Sequence, residues 1–177
     1  MAERDYALAV LDAADEVPGR TMLQKLVYLA ASSQDDPLWF RPHFYGPYSS
    51  ELQSEVERLV ALGLVEETVR LLEPWQPSTF DPMQYSYRIT DAGRAAAREI
   101  ASPVRDVARR VVETTRETGA WNAAALSMAA KLHHLRLVSP NAAAADVPSL
   151  ARQFGWRMTE SDARVGERLL ESLSVAR

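Results

Sequence analysis

The stretch VEETVRLLEPWQPSTFDPMQYSYRITDAG, residues 65–93, carries the change of period that sets the fold. Val65, Glu67, Val69 and Leu71 alternate, as do Tyr85, Tyr87 and Ile89, which is the two-residue period of strands with one face turned inward. Between them EPWQPSTFDPMQ holds three Pro in 12 residues, a composition for a loop. The pattern predicts a β-hairpin with a long loop, the wing of the fold. Thr90-Asp91-Ala92-Gly93 then opens a helix.

Upstream, the period is helical. Ala7, Val10, Leu11 and Ala14 share one face of a helix over 4–16, which Pro18-Gly19 stop. A second helix follows, with Leu23, Leu26, Val27 and Ala30 as its buried stripe and Thr21-Met22-Leu23-Gln24 in capping-box spacing. Ser33 to Pro37 break it, and Leu38 to Tyr45, interrupted by Pro42, suits an edge strand or extended segment. Gly46-Pro47 turns the chain. Ser50-Glu51-Leu52-Gln53 is a second capping-box spacing, opening a helix with Leu52, Val56, Leu59 and Val60 inward and Gly63 as its left-handed stop. Three helices followed by a hairpin is the order of a winged helix.

Downstream, Ser102-Pro103 kinks or restarts the helix begun at Thr90, and Val107, Ala108 and Val111 form a stripe ending near Gly119. Asn122 is placed to cap a helix with Leu126, Ala129, Ala130, His133 and Leu137 along one side. SPNAAAAD, residues 139–146, reads as a linker or loop, and Thr159 starts a terminal helix with Gly166, Leu169, Leu170 and Leu173 inward. The expected fold is mainly α with a small β-hairpin: a winged-helix-like domain over 1–101, then a helical region over 102–177 that packs on it or mediates dimerisation.

Composition narrows the chemistry. The 177 residues include no Cys, which removes disulfides, thiol catalysis and thiolate metal sites and suits a reducing compartment. No run approaches the roughly 18 to 20 apolar residues of a membrane span, and MAERDYALAV is charged where a signal peptide is apolar, so a cytoplasmic protein is expected. Residues 1–67 carry 12 acidic against five basic groups, a balance of −7, and the remainder carries 15 basic against 12 acidic, +3, for the overall −4.

GRTMLQKLVYLA, HFYGPYSSEL, GLVEE, YRITDAG and LSMAAKLHHL together, in this order, resemble the YwgA-like prokaryotic proteins. The resemblance runs through roughly residues 18–137 and implies a winged-helix-like N-terminal domain, with no activity attached. The first two segments are also similar, more distantly, to the Panacea or SocA-like antitoxin domain, where a Leu-Gln-Lys-Leu helix precedes an aromatic-Gly-Pro turn. That resemblance implies a protein-binding antitoxin.

The candidate sites divide by chemistry. The helix from Ser50 to Leu62 occupies the recognition position of a winged helix, yet it presents Glu51, Glu55 and Glu57 against a lone Arg58, and the wing loop 73–84 has no Lys or Arg. Phosphate neutralisation supplies most non-specific affinity for DNA, so this helix disfavours the groove it would enter. Arg94, Arg98, Arg105, Arg109 and Arg110 are the candidate nucleic-acid contacts, against the alternative of a solvated face with pairs such as Arg109 and Glu113. His43, His133 and His134 lack the spacing and carboxylates of a metal or acid–base site, and His133 is expected to be hydrogen-bonded in or near the core. Ser49 and Ser50 read as caps, since no Gly-x-Ser-x-Gly elbow exists. The seven Gly form no phosphate-cradling loop. No cofactor, metal or catalytic residue is expected.

HFYGPYSS, residues 43–50, is read as architecture with a binding role. Phe44 and Tyr45 are expected to anchor the turn to the core, with Gly46-Pro47 setting its geometry. His43, Phe44, Tyr45, Gly46, Pro47 and Tyr48, with Trp39 and Trp75, form the candidate partner-binding set, because rigid aromatics bury large area at little entropic cost. Phe80 is a further loop aromatic that would mark a partner surface if exposed. The expected function is a non-enzymatic regulatory module that binds another protein, antitoxin-like in one form, through the aromatic turn and the wing on an acidic face. The alternative is a DNA-binding transcription regulator, and homodimerisation through the helices after residue 91 is open to either.

Overall fold

The computed structural model describes residues 2–34, 40–71 and 83–173. The chain is mainly helical with a small antiparallel sheet. In order it runs α1 (Ala2–Ala14), β1 (Glu16–Pro18), α2 (Arg20–Ser32), α3 (Ser50–Ala61), β2 (Val65–Leu71), β3 (Met83–Ile89), α4 (Asp91–Arg98), α5 (Ser102–Glu117), α6 (Ala123–Val138), α7 (Val147–Gln153) and α8 (Glu160–Leu173). A 3₁₀ turn, Ala144–Asp146, precedes α7.

α1 is the centre. Tyr6 to Leu11 are all buried, because α2, α3, α4 and α5 pack around it and β3 closes on it. A helix apolar on every side is stable only when enclosed in this way. α6 is the second enclosed helix, packed on α2, α7 and α8. The helices after residue 101 share one continuous core with those before it.

The sheet has three strands in the order β1-β3-β2, one more than the hairpin alone. Asp15 leaves α1 at φ +66°, and Glu16, Val17 and Pro18 then pair with Arg88, Tyr87 and Ser86. An Asp tolerates this left-handed position better than most side chains. Three residues including a Pro show no alternation, which is why Glu16–Pro18 reads as a helix stop rather than a strand. The hairpin pairs Val65 with Ile89 through Leu71 with Met83. Its inward face is buried only near the helices: Val65, Tyr87 and Ile89 are buried, whereas Val69, Leu71 and Met83 are exposed.

Several helix ends form as their sequences predict. Thr90 accepts from Gly93 N–H, Asn122 from Ala125 N–H, and Thr159 and Asp162 cap reciprocally. Pro103 lies in the first turn of α5, so the helix restarts there. Both predicted capping boxes need correction. α2 starts at Arg20 behind Gly19 with no side-chain cap, and Ser49, not Ser50, caps α3 by accepting from Leu52 N–H at 3.1 Å. Leu137 is also corrected: it is 61% exposed, on a last turn that extends past the core, while Leu132 and Leu135 are buried.

Gly93 marks the closest approach of α4 to the sheet. A Cβ there would collide with the Leu64 carbonyl oxygen and lie 2.8 Å from Ile89 Cγ1. That carbonyl already accepts the Thr90 N–H at 3.1 Å and cannot retreat cheaply. Gly93→Ala is expected to cost about 2–3 kcal/mol through overpacking. Urea melts read the loss, and an unchanged midpoint would contradict the packing described.

Candidate functional site

The segment 41–49 is a miniature hairpin. Arg41 N–H donates to Tyr48 O at 2.8 Å and Tyr48 N–H to Arg41 O at 2.9 Å. Further in, His43 N–H donates to Gly46 O at 3.2 Å and Gly46 N–H to His43 O at 2.9 Å. Phe44 and Tyr45 are thus the two-residue tip, and Gly46 leaves it at φ +100°, a conformation open to Gly alone without strain.

The tip geometry decides where the aromatics go. Phe44 is 62% exposed and Tyr45 40%, with their rings 5.0 Å apart and edge to face. The expectation that they anchor the turn to the core is therefore corrected. Both residues lie beyond the last hydrogen-bonded pair of the hairpin, where their side chains stay exposed despite their apolar character. Gly46 and Pro47 are buried instead, and the backbone does the anchoring.

Four side-chain hydrogen bonds fasten that backbone from behind: Lys25 Nζ to Pro47 O at 2.6 Å, Gln24 Nε2 to Ser49 O at 2.9 Å, Ser49 N–H to Gln24 Oε1 at 3.0 Å, and Trp156 Nε1 to His43 O at 2.6 Å. Gln24 both donates to and accepts from one residue, as a neighbouring strand would. Its amide is committed here, so no capping box forms at α2. Ser49 then caps α3, so one residue ends the hairpin and begins the helix.

Two lysines lie beneath the turn. Lys25 and Lys131 are 1% and 6% exposed, and a Cβ on Gly46 would lie 3.1 Å from Lys131 Cγ and 3.5 Å from Lys25 Cε. Burial, and then repulsion from Lys131, push the Lys25 ammonium down to about 7. Burial also lowers Lys131, with Asp162 opposing. Lys131 Nζ sits 5.7 Å from the centre of the Trp156 ring, which stacks on Phe154.

Beside the tip lies a groove of about 710 Å³. Phe44, Tyr45 and Met128 give it apolar walls, Thr21 and Ser127 contribute hydroxyls, and Lys131 and Arg157 contribute cations. No carboxylate lines it among the described residues. This differs from the acidic face expected around the turn. The acidic surface belongs to α3, where Glu51 and Glu57 are exposed and Arg58 pairs with Glu55 at 3.7 Å.

The other sequence candidates are placed apart. His43 is exposed with its ring 5.1 Å from Tyr48, while His133 is buried with Nδ1 2.8 Å from the Tyr28 hydroxyl, as expected of a core histidine. Half-buried His134 contacts Phe154 and Trp156, and burial lowers its pKa. Arg94 pairs with Asp12 and Asp15, and Arg109 with Asp106. Arg105 is half-buried, and Arg98 and Arg110 are exposed without an ion pair among the described residues. Trp39, Trp75 and Phe80 lie outside the described residues. Among the described residues no helix is long and apolar enough to cross a membrane.

Sequence reasoning missed Gln24, Lys25, Lys131 and Trp156 as site residues. One signal was present. Between Glu117 and Arg136, Lys131 is the sole Asp, Glu, Lys or Arg, so its charge stands alone in a helix otherwise fit for burial.

No family model matches the chain. It is similar to the uncharacterized protein YwgA of Bacillus subtilis (strain 168), at 33% identity over 97 residues, 54% of this chain and 54% of that protein. The chain thus spans about half the length of the curated relative it matches. The likeness supports the YwgA-like resemblance.

The buried lysine predicts a pH dependence. An unfolded Lys25 keeps its proton to about 10.5, whereas the folded chain releases it near 7, so the unfolded state binds more protons between these values. The Lys25 contribution to stability therefore rises with pH across that window. The unfolding free energy of wild type minus that of Lys25→Met is expected to climb by on the order of 4 kcal/mol from about pH 7 to about pH 10. Urea melts across this range read it, and a flat difference would show that Lys25 is not desolvated.

Proposed function

We propose that this protein is a regulatory module without catalytic chemistry of its own, which binds another protein through the hairpin tip and the groove beside it. The observation that supports the reading most is the opposition of two exposed aromatics, Phe44 and Tyr45, to a backbone fastened by Gln24, Lys25 and Trp156. Immobilised aromatics lose little entropy on docking, and the energy of interfaces concentrates in such anchors. An antitoxin that neutralises a toxin is the special form of this reading suggested by the Leu-Gln-Lys-Leu and aromatic-Gly-Pro resemblance. The winged-helix order of elements belongs to the same proposal.

The second reading is a DNA-binding regulator. Arg98 and Arg110 favour it, being exposed and outside the ion pairs that hold Arg94 and Arg109. The acidic surface of α3 opposes it, because the helix in the recognition position would be repelled by phosphate.

A photoreactive phenylalanine analogue at position 44, compared with one at position 110, separates the two in the host cell. The expected result is a discrete protein adduct from position 44, absent from 110 and weakened by Tyr45→Ala. Adducts from position 110 alone, together with salt-sensitive duplex binding that Arg98→Ala and Arg110→Ala abolish, would establish the regulator instead.

A further inference from the structure

We infer that the groove beside the hairpin tip holds an acidic segment of the partner protein, with one carboxylate seated on Lys131 Nζ and an adjoining apolar side chain against Phe44, Tyr45 and Met128. This rests on the protein-binding reading above and specifies the chemistry of the partner.

Lys131 is the centre of the argument. It is 94% buried, as its 6% exposure shows, and lines the groove, and it has no hydrogen-bond or ion-pair partner among the described residues. Its Nζ retains some exposure to solvent, and its side chain lines the groove. A buried ammonium with unused donors favours an anion strongly, since bonds to charged groups in such settings exceed neutral ones. Lys25 cannot take that role, because its Nζ is bound to Pro47 O.

The surroundings agree in sign. Arg157, exposed at the rim, has no ion-pair partner among the described residues either. Ala123 and Ala124, the first two residues of the 16-residue α6, also line the groove and bring the positive end of the helix to it. Asp162 is the nearby carboxylate that opposes the lowering of the Lys131 pKa, and it forms no salt bridge with it. The site is therefore positive, walled by aromatic and thioether carbon, and free of lining carboxylates.

A peptide suits this balance better than a nucleic acid. Strong nucleic-acid binding requires many neutralised phosphates, and two cations in an apolar groove supply few. A carboxylate flanked by an aromatic or aliphatic side chain uses both parts of the surface at once.

Panning the full-length protein against randomised displayed peptides tests the assignment. Enriched peptides are expected to place Asp or Glu beside an apolar residue and to lose on the order of tenfold in affinity with Lys131→Met. That variant keeps the stem that touches Gly46, and a melting curve confirms its fold. Arg157→Gln, at an exposed position, is the second variant, expected to weaken binding less and to flatten its salt dependence. Neutral or basic peptides that lose binding with Phe44→Ala but not with Lys131→Met would overturn the carboxylate seat while leaving the protein-binding reading intact. Enrichment of nothing, or tighter binding of single-stranded oligonucleotides than of any peptide, would overturn both.

Discussion

The structure depends on a short segment of backbone being held from behind. Between α2 and α3 the chain must reverse direction outside either helix, leaving polar groups that need partners inside a packed molecule. Gln24, Lys25 and Trp156 supply them, from α2 on one side and from the stretch after α7 on the other. Because Trp156 lies between α7 and α8, fixing the hairpin also ties the second half of the chain to the first. The Ser49 cap then starts α3 in a direction that the hairpin has already determined.

A buried lysine is an expensive way to satisfy a carbonyl. Desolvation of its ammonium works against folding, and the release of the proton near neutrality limits the penalty. A neutral amine still donates, so the bond to Pro47 O survives in either protonation state. Lys131 differs because it reaches the groove instead of a carbonyl, and the two residues sit close enough to repel. One lysine is structural and the other is available.

The periodic parts of the fold were legible in the sequence, and the exceptions have local causes. The stripes of α2, α3, α5 and α8 and the hairpin follow directly from spacing. β1 was not, since three residues carry no period and its identity comes from pairing with β3. α7 was hidden in a stretch whose Pro and Ala-rich approach resembles a linker. In the site, the architectural role of Gly46-Pro47 was readable, but the exposure of Phe44 and Tyr45 was not. Apolar character argues for burial, and only the hydrogen-bond register reveals that both occupy a two-residue tip. Lys25 and Lys131 were missed for the opposite reason: lysine is expected at the surface, and no spacing rule marks the exceptions.

The tip has a further consequence for how this protein can diverge. Residues 46, 47 and 49 are constrained by φ, by burial and by backbone bonds, while the side chains of residues 44 and 45 are exposed. The exposed positions and the fastened ones therefore sit side by side in the chain. On the proposed reading, substitutions at 44 and 45 would retarget the molecule with its scaffold unaltered, whereas the same changes two residues later would dismantle the platform that displays them.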